Sequence, residues 1–182
     1  MNSYLLKWTM FISSYLPLYI LLVLINVPNI FKDQKITIMI WSFLSVVIAL
    51  IIISIATLLF IVKKKTNTEV PVLTYEKTDD NIISYIMTYL IPVLSIDLSN
   101  IWNVIANLLL FLIIGIIYVR NDLVYLNPLL SLLGFYVYRS ERGSYIITKV
   151  TLETIKELRN ENKMIGSYKL TEGVFLYKKL KK

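Results

Sequence analysis

From Trp8 to Phe31 the chain carries no charged side chain, and the same holds from Ile36 to Val62 and from Leu98 to Val119. No other feature constrains the fold as strongly. A helix crosses the hydrocarbon core of a bilayer with about 20 apolar residues. Only helices and closed barrels satisfy every backbone polar group there. Each of the three runs is long enough to cross. Composition points the same way: 57% of residues are hydrophobic and 17% charged, against roughly 25% charged in a soluble domain. The first run lacks the small-residue cleavage site of a signal peptide, so it reads as an anchor.

Asn81 to Ile96 forms a fourth apolar run. It is shorter than the usual span, follows Asp79 and Asp80, and carries Pro92, which is expected to kink or end a helix. Charge distribution argues for counting it. With four spans and an inner N-terminus, all but two of the 19 basic residues lie on the inner side, the exceptions being Lys32 and Lys35. Cytoplasmic loops carry this excess. Three spans would place Lys63–Lys65 and the basic C-terminal region on opposite sides. The expected fold is therefore an α-helical membrane protein of four transmembrane helices, both termini cytoplasmic, followed by a small α+β module. Residues 1–122 form the transmembrane domain, with a cytoplasmic loop at 63–80. Residues 123–182 form an interfacial helix and the basic module.

Within that module the local signals are specific. Pro128 opens and Gly134 closes a short helix ending near Leu133, the usual punctuation. This break, together with Asn127, argues against a fifth span. Phe135–Arg139 and Tyr145–Lys149 alternate as two strands around Ser140–Gly143. Thr151 is placed to cap a helix carrying Leu152, Ile155 and Leu158 or Arg159. Asn160–Lys163 reads as a turn, and Met164–Leu170 pairs with Val174–Lys179 around Thr171–Gly173. The 63–80 loop, with Pro71 in an apolar-polar stretch, supports one edge strand or none. A module this small is marginal for folding alone, so it is expected to lean on the membrane, on that loop or on neighbouring chains.

Candidate functional residues follow from placement. Asn100, Asn103 and Asn107 share one face of the last span. Amides in a membrane need partners, so this face is expected in a helix or oligomer interface, with a polar path as the alternative. Ser42, Ser45 and Ala49, with Ala56 beyond them, form a small-residue face suited to close helix packing. Asp97 is placed to cap the last span. Arg139, Arg142, Lys178, Lys179, Lys181 and Lys182 form a basic surface for anionic lipid or for an acidic or nucleic-acid-bound partner. The chain holds no Cys and no His, which excludes disulfides and thiolate sites and removes the commonest general base. No nucleotide-binding or hydrolase motif is present. An enzyme is not expected, nor a metal or cofactor.

Three stretches carry a resemblance: Tyr89-Leu-Ile-Pro92-Val-Leu-Ser-Ile-Asp97, Gly115-Ile-Ile-Tyr118-Val-Arg120-Asn-Asp-Leu, and Tyr125-Leu-Asn127-Pro128 through Gly134-Phe-Tyr-Val-Tyr138. Together they resemble the KwaA family, the membrane subunit of the Kiwa anti-phage defence system of bacteria. The resemblance is best over residues 80–140. It implies a multi-pass, homo-oligomeric sensor and scaffold in the bacterial inner membrane. It further implies a soluble DNA-binding partner resembling KwaB, with nucleic acid contacted only through that partner. It brings no catalytic residue and no cofactor. The competing class is a small pore, transport or immunity-type membrane protein, which would need a continuous polar path. A passive anchor is the third.

Overall fold

A computed structural model describes residues 3–32, 38–78 and 100–180. The third expected span, Asn81–Ile96, lies outside these residues, as do Pro92, Asp97, Lys35, Lys181 and Lys182. The long apolar runs form α1 (Ser3–Ser14), α2 (Leu16–Lys32), α3 (Ile38–Lys63) and α4 (Ile101–Arg120). Two described helices, Trp41–Lys63 and Ile101–Arg120, are long and apolar enough to cross a membrane, or three if α1 and α2 count as one bent span. Ile52, Ile55 and Leu59 on α3, and Ile105, Leu109 and Ile116 on α4, stand exposed. Such unbroken apolar surface suits lipid rather than water.

The first run, expected as one span, is two helices that meet at a bend of 44° between α1 and α2. Pro17 explains the break. It has no N–H for the carbonyl of Ser13, and its ring crowds that carbonyl. The neighbouring carbonyls are taken up by side chains. Ser13 Oγ donates to Met10 O at 2.8 Å, Ser14 Oγ to Phe11 O at 2.6 Å, and Ser54 Oγ on α3 to Ile12 O at 3.3 Å. Broken helices persist in a membrane only with repair of this kind. Ser54 lies nine positions before Lys63, so at about 1.5 Å per residue the break sits level with a point about 14 Å from the end of α3.

α1 packs against α3 and α4. Its contact with α4 depends on Gly115, where a Cβ would come within 2.7 Å of both the Trp8 and Phe11 rings. Phe11 fills the space with its ring 4.9 Å from Phe111 and 5.3 Å from Tyr118.

After α4 come a 3-10 turn, Leu123–Leu126, and the short helix α5, Pro128–Leu132. α5 matches its expected punctuation. Asn127 caps it, Gly134 has φ +77°, and Phe135 N donates back to Leu130 O at 2.9 Å. The strands are β1 (Thr68–Pro71), β2 (Tyr75–Lys77), β3 (Tyr136–Ser140), β4 (Tyr145–Thr148), β5 (Met164–Lys169) and β6 (Val174–Lys178), with α6 (Leu152–Asn160) between β4 and β5. They form one sheet in the order β1-β5-β6-β4-β3-β2, with β4 and β6 parallel and the other pairs antiparallel. The 63–80 loop therefore supplies both edges of the sheet rather than one strand or none. Thr68 pairs with Ser167 and Lys77 with Tyr138. Pro71 sits on an edge strand, where a missing donor is tolerated.

The sheet has two covered faces, as alternation along a strand requires. Ile146, Ile165 and Tyr177 pack with Ile155 of α6. Ile147, Val174 and Leu176 turn the other way and join the core formed by the helices. The sheet is thus a layer between α6 and the ends of the membrane helices. Gly115→Val is expected to force α1 off α4 and to destabilise the protein by about 1–3 kcal/mol, the usual cost of overpacking. Thermal unfolding of the detergent-solubilised chain measures this.

Candidate functional site at the helix–sheet junction

Three polar contacts fasten the long helices to the C-terminal region, two of them to the sheet and one to α5. The first centres on Asp122, one residue past the C-cap of α4. Its backbone is left-handed, with φ 56°, a region in which Asp is enriched among non-glycine residues. Its carboxylate pairs with Lys7 Nζ of α1 at 3.2 Å. Its other oxygen accepts from Thr171 Oγ1 at 2.8 Å and from Gly173 N at 3.2 Å. One side chain thereby joins α1, the end of α4 and the β5–β6 turn.

The second contact is Lys178 on β6. Its ammonium donates to Val62 O at 2.7 Å and to Lys64 O at 2.6 Å. These carbonyls belong to the C-terminal end of α3, where the last carbonyls lack helical donors and the helix dipole favours a cation. Burial pulls the lysine pKa below its ordinary value, and the nearby charge of Lys149 pulls it the same way.

The third contact is Asn127, which is 1% exposed. Its Nδ2 donates to Met10 O at 3.1 Å and to Ser13 Oγ at 2.7 Å, and its Oδ1 accepts from Leu129 N at 3.0 Å. It ties α1 just before the break to the start of α5. Packing supports all three contacts: Tyr125 stacks on Tyr145 of β4 with ring centroids 3.5 Å apart and planes 7° from parallel.

The residues singled out from the sequence are placed differently. Lys178 was expected on an outer basic surface and forms the α3 contact instead. Lys179, Arg139 and Arg142 are exposed, and Arg139 stands opposite Glu76 in the sheet register. The cap of α4 is Asn100, not Asp97. Asn100 lies just before the helix, and its side chain accepts from Trp102 N and Asn103 N. Asn107 Nδ2 donates within its own helix to Asn103 O at 3.0 Å and Asn103 Oδ1 at 3.1 Å. Part of the amide demand is therefore met along α4 itself. Ser42, Ser45 and Ala49 face outward. The buried stripe of α3 runs instead through Leu44, Val47, Ser54 and Ile61.

Asp122, Asn127 and Pro17 drew no attention as site residues. Asp122 follows Arg120 and reads as a solvated loop end. A polar residue just past a span, together with a basic residue near the N-terminus, is the signal that points to such a tie. The arrangement has no nucleophile–base pair, and among the described residues no group of His, Cys, Asp and Glu is placed to hold a metal. What the contacts do is tie the helix ends to the strands and to α5.

Lys178→Met removes two charge-assisted bonds and leaves two carbonyls without their donor. It is expected to cost about 2–3 kcal/mol, read as a lowered unfolding midpoint of the full chain. A double-mutant cycle over Lys7 and Asp122 is expected to give a coupling of about 1 kcal/mol.

A family model described as "Anti-phage protein KwaA" matches residues 6–176. A curated relative, the Kiwa protein KwaA of Escherichia coli O55:H7, is 39% identical over 57 residues. That alignment covers 31% of this chain and 29% of the relative. No solved structure matches.

Proposed function

The chain belongs to the KwaA family of anti-phage proteins, and from that premise we propose that it is a non-enzymatic membrane sensor and scaffold in Kiwa defence. In this reading the spans register a perturbation of the envelope. The sheet carries the response to a soluble partner resembling KwaB, held at the inner face of the bacterial inner membrane. The observation that carries the reading is the Asp122 junction, where one carboxylate ties α1, α4 and the β5–β6 turn. A passive anchor has no use for such a joint, since a flexible linker suffices to tether.

Four crossings with both termini inside form part of the proposal. Its support lies in the ends of the described helices. The N-terminal part of α1, the end of α3 and the end of α4 all meet one sheet, through Lys7, Val62 and Asp122. Lys77 is in that sheet, whereas Asn100 opens the far end of α4. The connection between them has to cover the length of α4, about 30 Å at 1.5 Å per residue. The outward small face of Ser42, Ser45 and Ala49 is the surface proposed for contact with a second copy.

Sensing requires two arrangements separated by a small free-energy gap, and the bend at Pro17 is the proposed seam. Asp122→Ala is the discriminating variant. It is expected to abolish protection against phage in a plaque assay while membrane insertion and partner recruitment persist. Unchanged protection would favour the passive anchor. For topology, a phosphatase fused after Lys182 is expected to be inactive and a fluorescent protein bright. An active phosphatase there contradicts an inner C-terminus.

A further inference from the structure

The C-terminal end of α3 carries a shallow, open groove of about 480 Å³ lined by Ala56, Leu59, Phe60, Lys63, Lys64 and Lys65. Residues 56, 59, 60 and 63 recur at the spacing of one helix face, so an apolar trough runs along the helix and ends in lysines. Ala56 is the smallest of the lining residues. The lysines are not equivalent. Lys64 turns inward, its Nζ 4.7 Å from the Phe60 ring centroid and 4.4 Å from that of Tyr168. Lys63 and Lys65 are exposed. Among the described residues the ion pairs are Lys7–Asp122 and Lys163–Glu161, so no carboxylate is paired with this cluster.

A helix C-terminus ordinarily repels an anion, because its free carbonyls carry the negative end of the dipole. Here Lys178 donates to Val62 O and Lys64 O, which places an ammonium at that end. The local field is thereby turned favourable to a negative group. We propose that this groove seats one anionic glycerophospholipid, its acyl chain along Ala56, Leu59 and Phe60 and its phosphate at Lys63 and Lys65. The inference rests on the membrane reading of α3. It goes beyond diffuse attraction of a basic surface to lipid, because it assigns a groove and two side chains. A lipid so held would touch the span, and through Lys178 the sheet.

Native mass spectrometry of the full chain in detergent, with phosphatidylglycerol or phosphatidylcholine of matched chains, tests this. The wild type is expected to retain phosphatidylglycerol in preference. The pair Lys63→Gln and Lys65→Gln is expected to reduce retention by about five-fold per lysine, the usual effect of one basic residue at an anionic surface. Ala56→Phe fills the groove without altering charge and is expected to lower retention as well. Lys156→Gln, an exposed charge on α6 across the sheet from the groove, is expected to leave it unchanged, and free glycerol phosphate is expected not to compete. Equal retention of the two lipids overturns the proposal. So does an Ala56→Phe variant that binds as the wild type does, which would indicate diffuse charge alone. Circular dichroism of each variant confirms that it is folded. A carbonate wash of cell membranes separates the premise from the inference: release of the chain would contradict the membrane reading itself, whatever the lipid data.

Discussion

The chain's central constraint is that a membrane helix has to end somewhere, and its last carbonyls need donors. In most membrane proteins water at the interface meets part of that need. Here α3 ends against β6, and Lys178 supplies the donor from a strand more than a hundred residues later. α4 ends at Asp122, whose carboxylate reaches both the N-terminal helix and the β5–β6 turn. The sheet is thus built onto the helix ends. Its inner-face residues Ile147 and Leu176 belong to the same apolar core as Phe11 and Tyr118.

This continuity explains how a small module can be stable. Four of its strands come from the C-terminal region, and by themselves they would expose two edges and one apolar face. The 63–80 loop pairs a strand with each of those two edges, and the helix ends cover the face. The same arrangement bears on function in anti-phage defence. Asn127 and Lys7 tie α1, on the near side of its break, to α5 and to Asp122, which in turn holds the β5–β6 turn. The break is polar and repaired by hydroxyls.

Much of the local structure was legible in the sequence, because it depends on signals within a few residues. Thr151 caps α6 as expected, Gly134 and Gly143 take the positive φ their turns require, and both C-terminal hairpins fall where Thr171–Gly173 and Ser140–Gly143 place them. Long-range pairing was not legible. β1 and β2 are short, one carries Pro71, and their partners lie on β5 and β3. The candidate site was less legible still. Lys178 stands in a run of lysines whose ordinary place is a solvated surface, and only the fold turns it toward α3. The bend at Pro17 was hidden by the length of the uncharged run around it. Asn103 and Asn107 share a face, but the Asn107 amide is used within the helix, which spacing alone does not reveal.

If Asp122 joins the long helices to the sheet, the two should respond as one unit. Hydrogen exchange on the full chain in lipid nanodiscs tests it most directly, comparing the wild type with Lys7→Met. The substitution lies in α1, far in sequence from the sheet. Faster amide exchange is expected at Thr171–Gly173 and along β6 in the variant, with β3 much less affected. Exchange in that turn and strand identical to the wild type, in a variant that still inserts and folds, would contradict it.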